Sequence, residues 1–143
     1  MSTTTQDRPS FEEIAEDMAF LDDWEERYRY VIDLGRKMPP MDEAVKTPAT
    51  RVEGCASQVW LHPRREDGRI DFDGDSDAMI VRGLIAVLRS LYGRRAPEEA
   101  LAIDAEARFR ELGLDQALSS QRSNGLRAMV RRLREIAAGE RAV

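Results

Sequence analysis

Helical spacing of apolar residues breaks once along this chain, between Thr50 and about residue 75, and that interruption limits the fold more than any other feature. Before it, Phe11, Ile14, Ala15 and Met18, then Trp24, Tyr28, Val31 and Ile32, recur at intervals of three and four. After it, Ile80, Leu84, Val87, Leu88 and Leu91, then Leu126, Met129, Val130, Leu133 and Ile136, do the same. Inside the interruption, residues 51–53, 57–62 and 69–73 are rich in Val, Ile, Trp and Phe with partial alternation, the pattern of strands. Residues 63–68 form a polar turn that makes the last two an antiparallel hairpin, and Gly74 and Asp75 end the sheet. The expectation is an α+β fold: a small antiparallel sheet of about three strands, with helices before and after it around one core.

The helix ends are written in the local chemistry. Ser10 with Glu13 is a capping-box pattern. A second helix spans about 22–37 and is stopped by Pro39-Pro40, and the MDEAVKTP stretch suits a single helical turn. Asp75 or Ser76 is expected to cap the helix that closes near Gly93. Pro97 suits a helix first turn, and Asp104 caps a helix that Gly113 ends. The terminal helix is expected to run to about residue 138.

Composition narrows the chemistry. The chain has 143 residues, one Cys, one His and a net charge of -5. No repeat or linker divides it, so one domain over residues 1–143 is expected, with 1–9 a polar, flexible tail. One Cys excludes an internal disulfide, a CxxC redox pair and a four-cysteine iron–sulfur site. The acidic balance argues against general nucleic-acid binding. No run is apolar enough for a membrane span and no signal pattern opens the chain, so a cytoplasmic location is expected, where the thiol stays reduced. Charge is uneven: residues 1–50 carry 12 acids and 6 bases, while 119–143 carry 6 Arg and 2 Glu.

Cys55 lies in RVEGCASQVWL, between two extended pieces, after Gly54, which permits a tight or left-handed turn. Two readings follow from spacing alone: a buried cysteine acting as a small hydrophobe, or a thiol on a loop tip that can reach another protein. Arg51 would lower its pKa and Glu53 would raise it, so local charge does not choose. His62 reads as a strand-end surface residue, Trp60 as core, Gln58 and Ser57 as loop-fixing residues, and Asp75 and Asp77 as helix-start residues. Asn124 and Gly125 suit close helix packing.

The same run resembles the SufE family of sulfur acceptors, in which a cysteine follows glycine and precedes Ser-Gln-Val-Trp. YVIDLGRKMPPM, DSDAMIVRGLIAVL and SSQRSNGLRAMV resemble further family segments in the family order, covering most of residues 28–134. The resemblance implies that Cys55 accepts persulfide sulfur from a cysteine desulfurase of the SufS type, stimulates that enzyme, and relays sulfur to iron–sulfur assembly on a scaffold such as SufBCD. Pyridoxal phosphate then belongs to the partner, and no cofactor or metal is expected here. Arg122 matches a family arginine; it is assigned either to the partner or its persulfide anion, or to an ion pair within the domain. With Gly54, Ser57 and Gln58 it forms the expected partner-binding or loop-positioning set. The resting loop is expected to tuck Cys55 toward apolar cover and to swing out on docking. Competing readings are an acceptor for the paralogous CsdA-type desulfurase, a one-cysteine thiol peroxidase, an iron–sulfur scaffold with ligands shared across chains, and a structural adaptor.

Overall fold

In the computed structural model, residues 8–115 and 118–142 are described. Six helices surround one two-stranded sheet among them: α1 (Phe11–Ala19), α2 (Trp24–Lys37), β1 (Val59–Glu66), β2 (Arg69–Ser76), α3 (Met79–Tyr92), α4 (Pro97–Leu101), α5 (Ala105–Glu111) and α6 (Ser120–Ala142). A 3-10 turn at Glu43–Val45 occupies the MDEAVKTP stretch. Of the expected flexible tail, residues 1–7 lie outside the described residues, whereas Arg8 pairs with the buried Asp71 at 3.0 Å.

Local chemistry sets most helix ends. Ser10 and Glu13 form the reciprocal capping box of α1. Asp23 accepts the Glu26 N–H at the start of α2, and Asp104 accepts the Ala107 N–H at the start of α5. Gly113 follows α5 with φ 73°. α6 runs beyond residue 138 to Ala142.

The sheet departs from expectation in three ways. It has two strands; the third extended piece contributes an isolated bridge, Arg51 to Trp60, in place of a strand. The hairpin turn is only Asp67-Gly68, both at positive φ, as a two-residue loop matched to strand twist requires. Pro63 therefore lies inside β1, where its missing N–H is tolerated on an edge. The strands also run past Gly74 and Asp75, pairing Val59 with Ser76.

Consequently neither Asp75 nor Ser76 is the N-cap of α3, which is Ala78 with no side-chain cap. Asp75 is buried instead, and its carboxylate gathers four partners. It accepts from the Met41 N–H at 3.0 Å and the Ser76 N–H at 2.8 Å. It also pairs with Lys46 at 3.2 Å and with Arg82. Burial pushes the Asp75 carboxyl up, but the Met41 and Ser76 amides, Arg82 and Lys46 outweigh it and hold the group below its ordinary value. Arg82 also donates to the Gly35 carbonyl at 3.1 Å and to the Met38 carbonyl. One guanidinium thus joins the end of β2 to the end of α2.

α3 is the core element, burying Ile80, Val81, Leu84, Ile85, Val87, Leu88, Leu91 and Tyr92. It crosses α2 at glycines: a Cβ on Gly35 would lie 2.6 Å from the Gly83 nitrogen, and a Cβ on Gly83 would overlap the Val31 carbonyl. α6 closes the other side with Met129, Leu133 and Ala137. Trp24 is no core residue. It is 59% exposed and meets Tyr28 edge-on, with ring centroids 6.2 Å apart.

Two changes test this framework. Gly83→Ala puts a methyl into backbone, so its cost is expected at or above the top of the overpacking range, about 3 kcal/mol, as a lowered urea midpoint. Asp75→Asn is expected to cost about 3–5 kcal/mol at neutral pH, because Arg82 and Lys46 lose a buried partner. Since the native carboxyl is held low, its contribution is present above about pH 4 and disappears as pH falls through the native value. The Asn variant is therefore expected to show a flatter acid limb in urea titrations run from about pH 6 downward.

Candidate functional site

Cys55 sits in the loop that leads into β1. The loop is closed below the cysteine by two backbone bonds, Val52 N–H to Val59 carbonyl at 2.9 Å and Leu61 N–H to Thr50 carbonyl at 2.8 Å. Gly54 has φ 89°, a conformation that L side chains rarely adopt, so this position is held for glycine by its backbone. The turn points Cys55 at the first turns of α6, where its Sγ–H donates to the Gly125 carbonyl at 3.7 Å.

The half-buried sulfur lies over a cavity of about 190 Å³. Val81 and Leu84 of α3 and Leu126 and Met129 of α6 supply its apolar wall, and Ser57 and Arg122 supply polar edges. Burial pushes the Cys55 thiol up, and the Glu53 carboxylate pushes it further the same way. The structure therefore resolves what local sequence left balanced: the thiol at rest is stabilised in its protonated form.

The expected loop residues fall into place differently. Gln58 acts through its backbone, which donates to the Asp77 carboxylate at 3.0 Å and accepts the Asp77 N–H at 3.3 Å. Asp77 is thus an anchor for the loop's exit, corrected from a helix-start role. Ser57 lines the cavity. Arg122 stands in the first turn of α6, its backbone N–H capped by the Ser119 hydroxyl at 3.2 Å. The Arg122 Nε is enclosed without a hydrogen-bond partner, and no ion pair of Arg122 occurs among the described residues. Its side chain borders both the Cys55 cavity and a groove of about 540 Å³ containing Trp24, Tyr28 and Ile32.

Other candidates lie apart. His62 is opposite Asp73 in the hairpin and does not line the cavity. Trp60 is half-buried and carries Lys46 over its ring at 5.0 Å, a cation–π contact where core packing was expected. Gly125 is buried against the Cys55 loop, where helix packing was expected. Sequence reasoning missed the cavity walls on α3 and α6, because nothing in a helical stripe says which loop will cover it. Among the described residues, no three His, Cys, Asp or Glu side chains form a metal-ligating group, and no helix is long and apolar enough to cross a membrane.

The model of the SufE family, described as an Fe-S metabolism associated domain, matches residues 12–137. The chain belongs to the SufE family. An uncharacterized SufE-like protein of Rhizobium etli is 51% identical over 130 residues, covering 88% of both chains. Another from Rhizobium meliloti is 48% identical over 134 residues, 91% of this chain and 96% of that one. The solution structure of a hypothetical protein from Thermus thermophilus has the same fold. Its TM-score is 0.76 at 22% identity, covering 95% of this chain and 98% of that one. Family membership supports a sulfur-acceptor role in iron–sulfur metabolism and interaction with a cysteine desulfurase.

Ultraviolet titration of the single thiolate tests the site's electrostatics. The midpoint in the folded chain is expected above the ordinary thiol value of about 8.5, and urea-unfolded chain is expected to return to it. A thiol with a raised native value keeps its proton longer when folded, so stability falls as pH climbs between the two midpoints. Coincident midpoints would contradict the burial described.

Proposed function

We propose that Cys55 is the acceptor thiol of a sulfur relay and that Arg122, Gly54, Ser57 and Gln58 position its loop or meet the donor. The observation that carries this reading is the single thiol on a glycine turn, with its sulfur resting over a cavity walled by Val81, Leu84, Leu126 and Met129 and edged by Ser57 and Arg122. The donor is a SufS-type cysteine desulfurase, whose pyridoxal phosphate performs the carbon–sulfur cleavage and leaves a cysteine persulfide. Sulfur then passes to iron–sulfur assembly in the cytoplasm, on a scaffold such as SufBCD.

The step needs little machinery. Cys55 gives up its proton, and its Sγ attacks the outer sulfur of the donor persulfide. A new S–S bond forms as the donor's S–S bond breaks, and the donor leaves as a thiolate that takes up a proton. No net oxidation occurs and no second thiol is required on this chain. The resting pocket holds the thiol protonated, so activation accompanies movement of the loop toward the donor. After transfer, the apolar walls of Val81, Leu84 and Met129 shield the persulfide from reductants. The Arg122 guanidinium beside them suits a persulfide anion.

The raised thiol disfavours a thiol peroxidase, which works through a stabilised low-pKa thiolate. The decisive experiment mixes the protein with a desulfurase and L-cysteine and weighs the products. One added sulfur on Cys55 is expected with the SufS-type enzyme, and preferential loading by a CsdA-type enzyme would redirect the partner assignment. Cys55→Ser is expected to keep desulfurase binding and lose stimulation of sulfur release. Full stimulation by that variant would falsify the relay.

A further inference from the structure

Arg132 lies on α6 about two turns beyond Gly125, roughly 10 Å along the helix axis. Its Nη2 donates to the Ala49 carbonyl at 3.1 Å and to the Arg51 carbonyl at 3.0 Å. Those carbonyls belong to the root of the Cys55 loop, just outside the Val52–Val59 clasp. The root is braced from below as well, where the Thr50 hydroxyl donates to the Val45 carbonyl at 2.7 Å. Beyond the clasp, the tip has two described attachments: the Cys55 thiol on Gly125 and the Gln58 backbone on Asp77. One helix therefore holds both the sulfur's resting place and the root of the segment that carries it.

We propose that Arg132 is a positioning residue that pins the root of the Cys55 loop to α6, so that delivery of the sulfur moves only residues 53–58. The proposal rests on Cys55 being the acceptor, and it concerns how far its segment travels. The carbonyls of Ala49 and Arg51 are held together by the two N–H groups of one guanidinium nitrogen. With the root fixed, the tip can leave Gly125 and return to the same register. Without it, the segment from Ala49 onward shares the motion and the thiol loses its fixed seat.

The test compares Arg132→Ala with Arg134→Ala, since Arg134 on the same helix donates to the Leu101 carbonyl at 3.0 Å, away from the loop. In free protein, the Arg132 variant is expected to alkylate at Cys55 with iodoacetamide roughly fivefold to tenfold faster, as loss of two modest hydrogen bonds would allow. Its alkylation–pH profile should also move toward that of an ordinary thiol, and hydrogen exchange should rise in 49–52 as well as 53–58. Arg134→Ala should match the parent in all three. Equal acceleration by both variants, or no change with Arg132→Ala, would overturn the proposal. These readings need no desulfurase, so failure of Cys55 to gain sulfur in the mass measurement would be seen separately.

Discussion

α2 and α3 approach until backbone meets backbone, and the rest of the molecule is arranged around that crossing. Gly35 and Gly83 leave no room for side chains there, so the axes come closer than leucine-lined helices allow. Between them in sequence, Arg82 reaches out of the crossing to the Asp75 carboxylate and to the last carbonyls of α2. Burying a charge this way is tolerable because each side of the pair has several hydrogen bonds. The crossing thereby sets where β2 ends and where α3 begins.

That corner determines the site. Asp77 follows the buried Asp75–Ser76 pair and holds the Gln58 backbone, the exit of the Cys55 loop. Val81 and Leu84, within the next two turns, belong to the core and also line the sulfur's cavity. α6 supplies the opposite wall and the Gly125 carbonyl on which the thiol rests. A single cysteine is thus placed by three elements remote from it in sequence. Its chemistry at rest, a protected and protonated thiol, is a consequence of their packing.

The helices were legible in the sequence because capping and apolar spacing are local. Ser10, Asp23 and Asp104 meet their amides three residues away whatever the rest of the chain does. Asp75 was misread for the same reason: beside a helix start, a carboxylate looks like a cap until Arg82, Lys46 and Met41 arrive from elsewhere. The strand at 51–53 failed similarly, since alternation cannot reveal that the segment stops at an isolated bridge, Arg51 to Trp60. Trp24 shares the helical spacing of the α2 stripe, yet it is 59% exposed.

For Cys55, the residues around it identified the family and the acceptor candidate, because a short ordered motif survives without three-dimensional context. Gly54 likewise announced a turn, through a backbone freedom that belongs to glycine alone. The sequence by itself thus determined the α+β class, the place of most helices and the family motif around Cys55. Only the tertiary structure decided that the thiol is half-buried, that its proton is held, and that α6 grips both its sulfur and the root of its loop. Those properties depend on desolvation and on bonds spanning 70 or more residues, which no local pattern encodes.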